Sequence, residues 1–304
     1  MQITFRQLRL FLALAETGSV TAAARLMHVS QPTASMQLRE VSNAVGLPLH
    51  EVVGRRVRLT EAGHDLARAA RSIAGEWDAF EQRIDQIKGH KRGKLRVAVV
   101  STAKYFVPRL LGSFCAIYPE IDISLEVLNR DGVLQRLREN LDDFCIMSMP
   151  PGDIQVIDQV FMPNPLVVIA AKSNPLCRRR TIALDELRSE RFILRELGSG
   201  TRMAVDAFFK ERKFKPQLRL ELGSNEAIKE AVAGGLGIAV VSQHALYANA
   251  RDPAVSVLKV TGFPVDSNWH VVYQTGKKLS PIAQVFQAHL LTESKKWLQQ
   301  HIGQ

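Results

Sequence analysis

Three short segments of the sequence place hydroxyl groups, small residues and cations where a predicted strand ends and a helix begins. A helix start offers unpaired backbone N–H groups and the positive end of the helix dipole, which suit a carboxylate or a phosphate. Each segment alone is explained by ordinary N-capping. Three in one domain, two with an adjacent cation, favour an anion site. They are VVSTAK, with Ser101, Thr102 and Lys104; RELGSGTR, with Ser199, Gly200, Thr201 and Arg202; and LGSNEA, with Ser224 and Asn225.

Motifs for catalysis and for metal binding are missing from the sequence. It contains no nucleophile elbow, phosphate-binding P-loop, zinc-protease motif or dinucleotide fingerprint. The eight histidines and three cysteines lack metal-ligand spacing. The glycine-rich AGGLGIAVVS lies between a predicted helix and a strand, where its glycines suit a helix C-cap and a turn. We therefore predict that the protein is not an enzyme and holds no metal or cofactor.

From Leu95 onward, predicted strands and helices alternate, and this alternation positions the three segments. The strand-like runs are KLRVAVV, IDISLEVL, FCIMSM, PLVVIAA, RFILRE, PQLRLEL, GIAVVS and WHVVYQT. Helices are predicted at 106–118, from 131, and at 183–187, 203–213, 225–233 and 280–299. The pattern predicts two open sheets with a ligand cleft at the strands' carboxyl ends. Lobe I would comprise about residues 95–160 and 268–304, and lobe II about residues 161–267.

The N-terminal region contains two short helices in tandem, within TAAARLMHVSQPTASMQLREVSNAVG. Ser30 is a plausible N-cap for the second, and Pro32 suits its first turn. One face is apolar at helical spacing, with Ala34, Leu38, Val41 and Val45. The opposite face carries Gln31, Thr33, Ser35, Met36, Gln37 and Arg39. A helix that reads base edges in the major groove has such a face, and so does an ordinary helical hairpin.

The residues around this pair of helices favour DNA binding. A further amphipathic helix precedes it, and LHEVV and RVRLT follow, flanking Gly54-Arg55-Arg56 as a two-stranded wing with a basic tip. Three helices and a basic wing predict a winged helix-turn-helix domain over residues 1–60.

Residues 61–88 predict a long helix with a heptad seam. The seam residues are Leu66, Ala70, Ile73, Trp77, Phe80, Ile84 and Ile87. We predict a dimerisation helix, because pairing about a two-fold axis doubles the contacts on a two-part DNA site. The alternative is packing on the chain's own core. The glycine-punctuated basic residues 89–94 would be a hinge.

Composition supports a polyanionic partner. The net charge is +10, with 14 Lys and Arg against 9 Asp and Glu in residues 1–94 and 26 against 21 in the remainder. The basic excess is therefore densest at the N-terminal end. No signal peptide or membrane-spanning run is visible, and the unclustered cysteines indicate a reduced, cytoplasmic protein.

These segments resemble LysR-type transcriptional regulators over the whole chain. AARLMHVSQPTASMQLREVSNAVGLPL, GRRVRLTEAG and the long helix are similar to the family's DNA-binding region. VVSTAKYFVPRLLGSF, EVLNRDGVLQRLREN and NPLVVIAAKSNPL are similar to regulators of Calvin-cycle carbon-fixation (RuBisCO) operons. The resemblance implies an α/β chain with an N-terminal winged helix-turn-helix, a linker helix and a two-lobed effector domain like periplasmic binding proteins. It also implies homodimers that assemble into homotetramers.

Residue by residue, the resemblance implies major-groove contacts from Gln31, Pro32, Thr33, Ser35 and Arg39. It implies backbone or minor-groove contacts from Arg55 and Arg56, and the family often has a basic residue where this chain has Met36. The effector cleft would use Ser101, Thr102, Lys104, Asn129, Thr201 and Arg202. The carbon-fixation branch often reads glycine-arginine-proline-proline where this chain has SMPP, with Met149 at the arginine position.

Our leading hypothesis is a regulator that binds double-stranded promoter DNA and responds to a small anionic metabolite. The rival from another class is a ligand-binding or catalytic α/β protein whose basic N-terminal segment only dimerises. Within the family, the alternative is a regulator of an unrelated metabolic operon.

Overall fold

The structure of the protein, a computed structural model, describes residues 2–54, 56–88, 92–247 and 254–301. The chain divides into two compact units. The first is Met1–His90 with Glu139–Leu141 and Lys277–Ser280, and the second is Lys91–Arg138, Asp142–Gly276 and Pro281–Gln304. Within the described ranges, no helix combines the length and the apolar character that crossing a bilayer requires.

Helices and a small hairpin make up the described part of the first unit. They are α1 Phe5–Thr17, α2 Val20–Leu26, α3 Gln31–Val45, β1 His50–Val53, β2 Arg56–Leu59 and α4 Glu61–Ile87. A capping box between Thr4 and Gln7 starts α1, and Gly18, with a left-handed φ of 60°, ends it. The apolar faces of α1, α2 and α3 meet in a core around Phe11, Ala23 and Leu38.

The described strands of the second unit form two sheets, one in each lobe. The lobe I sheet contains β3 Gly93–Val100, β4 Ile121–Leu128, β5 Phe144–Met147, β6 Val156–Pro163 and β12 Asn268–Gln274. The lobe II sheet contains β7 Leu166–Ala171, β8 Arg191–Arg195, β9 Gln217–Leu222, β10 Ile238–Ser242 and β11 Val255–Leu258. Their orders are β4-β3-β5-β12-β6 and β11-β7-β10-β8-β9.

Parallel pairing brings the ends of several strands to one edge of each sheet. β3 runs parallel to β4 and β5, and β8 runs parallel to β9 and β10. Lobe I adds α5 Val107–Ile117, α6 Arg130–Arg138 and α10 Pro281–His301, and lobe II adds α7 Gly200–Glu211, α8 Asn225–Ala233 and α9 His244–Tyr247. Short 3-10 helices lie at Ser101–Tyr105, Pro175–Arg178 and Leu184–Ser189. The predicted fold class is confirmed.

The structure differs from the sequence prediction in several elements, and the short helices Ser101–Tyr105, Pro175–Arg178 and α9 are among those that the sequence does not predict. Strands β6 and β11 are not predicted by the sequence, and the helix predicted at 183–187 is the 3-10 helix Leu184–Ser189. Both strands lie at a sheet edge. Edge strands are half-solvated, so they lack the continuous apolar run by which a buried parallel strand is recognised.

Candidate DNA-reading surface and ligand cleft

Ser30 fixes the start of α3. Its side-chain oxygen accepts a hydrogen bond from the backbone N–H of Thr33 at 3.3 Å. Pro32 stands in the first turn, where its missing N–H leaves no intrahelical bond unmade. Ala34 and Leu38 are at most 1% exposed and lie in the core. The other face of α3 therefore points outward.

That outward face holds the residues for which base contacts are predicted. Exposed or half-buried on it are Gln31, Pro32, Thr33, Ser35, Met36 and Arg39. The Gln31 Nε2 donates to the Ser35 Oγ at 3.2 Å, so an amide and a hydroxyl lie side by side. Both groups donate and accept hydrogen bonds, as the base edges of the major groove require. The structure brings these residues together, and their contacts with DNA stay a prediction.

The wing lies next to this face. Strands β1 and β2 pair antiparallel, and Gly54 turns between them with a φ of 66°. Arg56 is exposed, and Arg55 lies outside the described residues. An open groove of about 600 Å³ runs beside α3 and β1, with Ser35, Arg39, Ser42, Asn43 and His50 among its lining residues. A groove whose lining combines Arg39 with several polar side chains suits a phosphate backbone.

The long helix α4 exposes an apolar stripe. Ile73, Trp77, Phe80 and Ile87 are between 45% and 82% exposed, and Leu66 and Ile84 are half-buried. The ring centroids of Trp77 and Phe80 are 5.6 Å apart. Large side chains that stay exposed in a contiguous stripe mark a surface for a protein partner. The dimerisation seam stays a prediction that this exposure supports.

A small cavity lies in the second unit where β3, β5 and β8 end. Lobe I contributes Ser101, Thr102, Arg130, Ser148 and Trp269 to its lining, and lobe II contributes Arg195, Ser199, Gly200 and Thr201. Its volume is about 20 Å³. That is room for roughly one water molecule, so a larger ligand requires the lobes to separate or side chains to move.

Arg195, the last residue of β8, is the centre of this cleft. Its guanidinium is 3% exposed and forms a bidentate ion pair with Glu196, at 2.7 and 2.8 Å. It also donates across the cleft to the Oγ1 of Thr102 at 3.1 Å and the Oγ of Ser101 at 3.3 Å. Asn225 accepts from the same guanidinium at 3.3 Å. One buried arginine therefore connects hydroxyl groups of lobe I with lobe II.

Two further donors belong to residues that line the cavity. The Nε of Arg130 and the Nε1 of Trp269 are buried and have no hydrogen-bond partner. A second nitrogen of Arg130 donates to the carbonyl of Met149 at 2.7 Å. Burial lowers the pKa of Arg130. Buried donors normally have an acceptor, so this lining suits a ligand that supplies anionic oxygens.

Lys104 reaches across the cleft to a carboxylate instead of lining the cavity. Its Nζ lies 3.0 Å from a Glu226 oxygen, and the Tyr105 hydroxyl donates to the other oxygen at 2.6 Å. Burial tends to raise the pKa of Glu226, but hydrogen bonds from Tyr105, Ser224 and Lys104 outweigh it and lower the pKa to about 2. Burial and then the Glu226 hydrogen bond raise the pKa of Tyr105. The carboxylate therefore holds the two lobes together at this point.

Arg202 and Asn129 do not line the cavity either. The Arg202 guanidinium pairs with Asp206 at 2.9 Å and Glu221 at 2.9 Å, so two carboxylates surround this cation. The Asn129 Oδ1 accepts from the backbone N–H of Gly132 at 3.0 Å and caps the start of α6. Of the residues predicted to contact the effector, the structure brings together Ser101, Thr102, Ser199, Gly200 and Thr201. The role of the others stays a prediction.

Sequence reasoning missed Arg130, Ser148, Arg195 and Trp269. Arg195 and Ser148 stand where a buried strand ends, a position that signals a ligand contact in an α/β sheet. Trp269 lies inside β12 and gave no such signal, because a tryptophan in a strand usually belongs to the core. Within the described ranges, no three His, Cys, Asp or Glu side chains are grouped as a metal site would need.

Two family models match the chain and together cover most of it. The model described as "Bacterial regulatory helix-turn-helix protein, lysR family" matches residues 5–64. The model described as "LysR substrate binding domain" matches residues 88–295. The first contains the predicted DNA-reading face, and the second contains the cleft.

The chain is also similar to curated proteins and to a solved structure over most of their length. The transcriptional activator CmpR of Synechocystis sp. is 44% identical over 96% of this chain and 96% of its own length. The RuBisCO operon transcriptional regulator of Acidithiobacillus ferrooxidans is 40% identical over 96% of this chain and 94% of its own. The regulatory domain of CcmR from Synechocystis PCC6803, solved in complex with 2-PG, is 46% identical, with a TM-score of 0.64 over 66% of this chain and 97% of that domain.

Proposed function

This chain belongs to the LysR family of transcriptional regulators, and we propose that it controls carbon-fixation operons in response to a small phosphorylated acid. It is a DNA-binding regulator rather than an enzyme, since the matched helix-turn-helix model is described as regulatory and the curated relatives are transcriptional regulators. The relatives named for RuBisCO operons and for 2-PG support the narrower proposal.

The composition of the cleft is the observation that carries this proposal. Two arginines and five hydroxyl-bearing side chains from both lobes line one cavity at the strand ends. Guanidinium groups bind phosphate and carboxylate oxygens through paired hydrogen bonds, and hydroxyl groups complete the coordination. A small anion that bridges Thr102 in lobe I and Thr201 in lobe II would change how the lobes close. We propose that this change alters promoter binding.

We further propose the division of labour along the chain. Residues 1–60 bind promoter DNA, residues 61–88 pair two copies, and residues 95–304 sense the effector. The hinge is assigned to residues 89–94, of which 89–91 lie outside the described residues. The exposed seam of α4 supports a homodimer, which doubles the DNA contacts and can pair again into a homotetramer. We place the regulator in the cytoplasm, where its promoter would be.

The test combines ligand and DNA binding. Purified full-length protein is screened by thermal shift against 2-PG, other phosphorylated acids, dicarboxylates and neutral sugars, and hits are titrated by calorimetry. We expect 2-PG or another phosphorylated acid to bind and to change the gel shift of DNA upstream of the chain's own gene. Binding restricted to dicarboxylates, or to effectors unrelated to carbon fixation, would favour a LysR regulator of another operon. Catalytic turnover without specific DNA binding would favour the rival α/β protein.

A further inference from the structure

The cation at the centre of the cleft already has an anionic partner within the chain. Glu196 follows Arg195 directly, and its two carboxylate oxygens accept from Nε and one terminal nitrogen of the guanidinium. This is the bidentate geometry with which arginine binds a carboxylate or phosphate ligand. The Arg195 side chain is 3% exposed, whereas the Glu196 side chain is 27% exposed. The carboxylate therefore has access to solvent that the guanidinium lacks.

Three further contacts hold the Arg195 guanidinium independently of Glu196. Thr102, Ser101 and Asn225 accept from its terminal nitrogens at 3.1 to 3.3 Å, and these partners come from both sides of the cleft. Asn225 also donates to Thr102 at 3.0 Å, which fixes the hydroxyl itself. The guanidinium is thus positioned by neutral groups and neutralised by one charged group.

We propose that Glu196 is an internal competitor, a carboxylate that occupies Arg195 until an anionic effector displaces it. This inference rests on the proposed function, because it names the residue that regulates access to the same cleft. A monocarboxylate offers Arg195 no more than Glu196 already supplies. A phosphate group carries about 1.5 to 2 negative charges and three acceptor oxygens, so it can displace the Glu196 carboxylate from Arg195 and also bind Arg130. Glu196 would therefore lower affinity for anions in general and select for phosphorylated ones.

The direct test is Glu196→Gln in the full chain, because the amide keeps the size of the side chain and removes its charge. Calorimetry with 2-PG and with glycolate, an acid without a phosphate, measures affinity and selectivity. We expect Glu196→Gln to bind 2-PG about tenfold more tightly and to acquire measurable glycolate binding. The matched control is Asp185→Asn, which removes a carboxylate from Arg188 in the same lobe, away from the cavity, and should leave both affinities unchanged.

The outcomes separate this inference from the proposed function. If the wild-type chain binds 2-PG and Glu196→Gln binds it no more tightly and still rejects glycolate, the competitor role is wrong while the function stands. If the wild-type chain binds no phosphorylated acid, the proposed effector is wrong. In that case the affinities of wild type and Glu196→Gln for inorganic phosphate are compared by calorimetry. Tighter binding by the variant would support the competitor role, and equal binding would overturn it. If Glu196→Gln folds poorly, Glu196→Asp is tested instead. Its side chain reaches Arg195 less well, so its affinity for the anion should also increase, but by a smaller factor.

Discussion

Gln31 and Ser35 lie one turn apart on the outward face of α3, and their hydrogen bond pre-orders both groups. Replacing either with Ala removes a group that can contact a base edge, at a cost of roughly 1–3 kcal/mol on the specific site. Binding to random DNA should change little, because phosphate contacts dominate the affinity for nonspecific DNA. Anisotropy titrations with operator and scrambled DNA at one salt concentration measure both. An equal loss of affinity for operator and scrambled DNA would show that these α3 residues do not read bases.

Thr102 accepts hydrogen bonds from both Arg195 and Asn225 and is 4% exposed. Thr102→Val keeps the volume and leaves two buried donors without this acceptor, so the free energy of unfolding should fall by about 1–3 kcal/mol. Thr102→Ser retains the hydroxyl and is the matched control. Denaturant unfolding of the three proteins gives the comparison. A valine variant as stable as wild type would show that the buried network contributes little.

The sequence indicates the hydroxyl groups of the cleft but not its cations. Ser101, Thr102 and Thr201 stand at helix starts, a position that local patterns reveal. The pairing of Arg202 with Asp206 is an i,i+4 contact within α7 that the sequence allows, but the pairing with Glu221 depends on which strand lies beside α7, and a single sequence does not give that neighbour. Arg195 lies within the predicted strand RFILRE, and the sequence does not show what this strand faces. Only the folded sheet shows that the end of β8 lies opposite lobe I.

The exposed apolar seam of α4 gives a prediction about dimerisation. Trp77→Asp or Phe80→Asp puts a charge into the apolar seam, where burial without a partner costs several kcal/mol. The variants should lose dimers, and operator binding should weaken with them. Ser72→Asp introduces the same charge at an exposed position off the seam and should remain dimeric. Sedimentation decides. A folded Trp77→Asp protein that stays dimeric would place the dimer contact elsewhere.

The contact between the lobes at Glu226 predicts a pH dependence. Its pKa falls from 4.5 to about 2 in the folded protein, so the charged carboxylate contributes stability above the unfolded value. That contribution is lost as the pH falls from 4.5 towards 2. Glu226→Gln should therefore lower Tm relative to wild type at pH 7, and the difference should shrink as the pH approaches 2. Glu230→Gln, exposed on the same helix, is the control. A Tm difference independent of pH would refute the assignment.

Most elements follow from the sequence because their patterns are local. The helices of the first unit carry apolar stripes and side-chain caps, and the buried strands of both sheets are continuous apolar runs. β6 and β11 escape prediction because each is stabilised by pairing with a neighbour that is distant in sequence, β12 and β7 respectively. Their formation depends on the whole sheet rather than on their own residues.

The complete chain combines a basic unit that we propose to read DNA with a cleft that we propose to bind an anion. The two functions lie in different compact units, so changes in the cleft should alter the response to the effector and leave basal DNA binding intact. The coupling between the sites must act equally in both directions. A ligand that weakens operator binding is itself bound less tightly by the DNA complex, and one that strengthens it is bound more tightly.

Coupling between the cleft and the DNA-binding unit is measured by an anisotropy titration of the promoter DNA upstream of the chain's own gene, at fixed salt, with and without saturating 2-PG. We predict that 2-PG changes the operator Kd of the wild-type chain about five- to a hundredfold, the usual range for allosteric coupling. Arg195→Gln should keep the basal operator Kd and lose the response. A wild-type operator Kd that stays the same with 2-PG and every other anion tested, or an equal response from Arg195→Gln, would contradict the account.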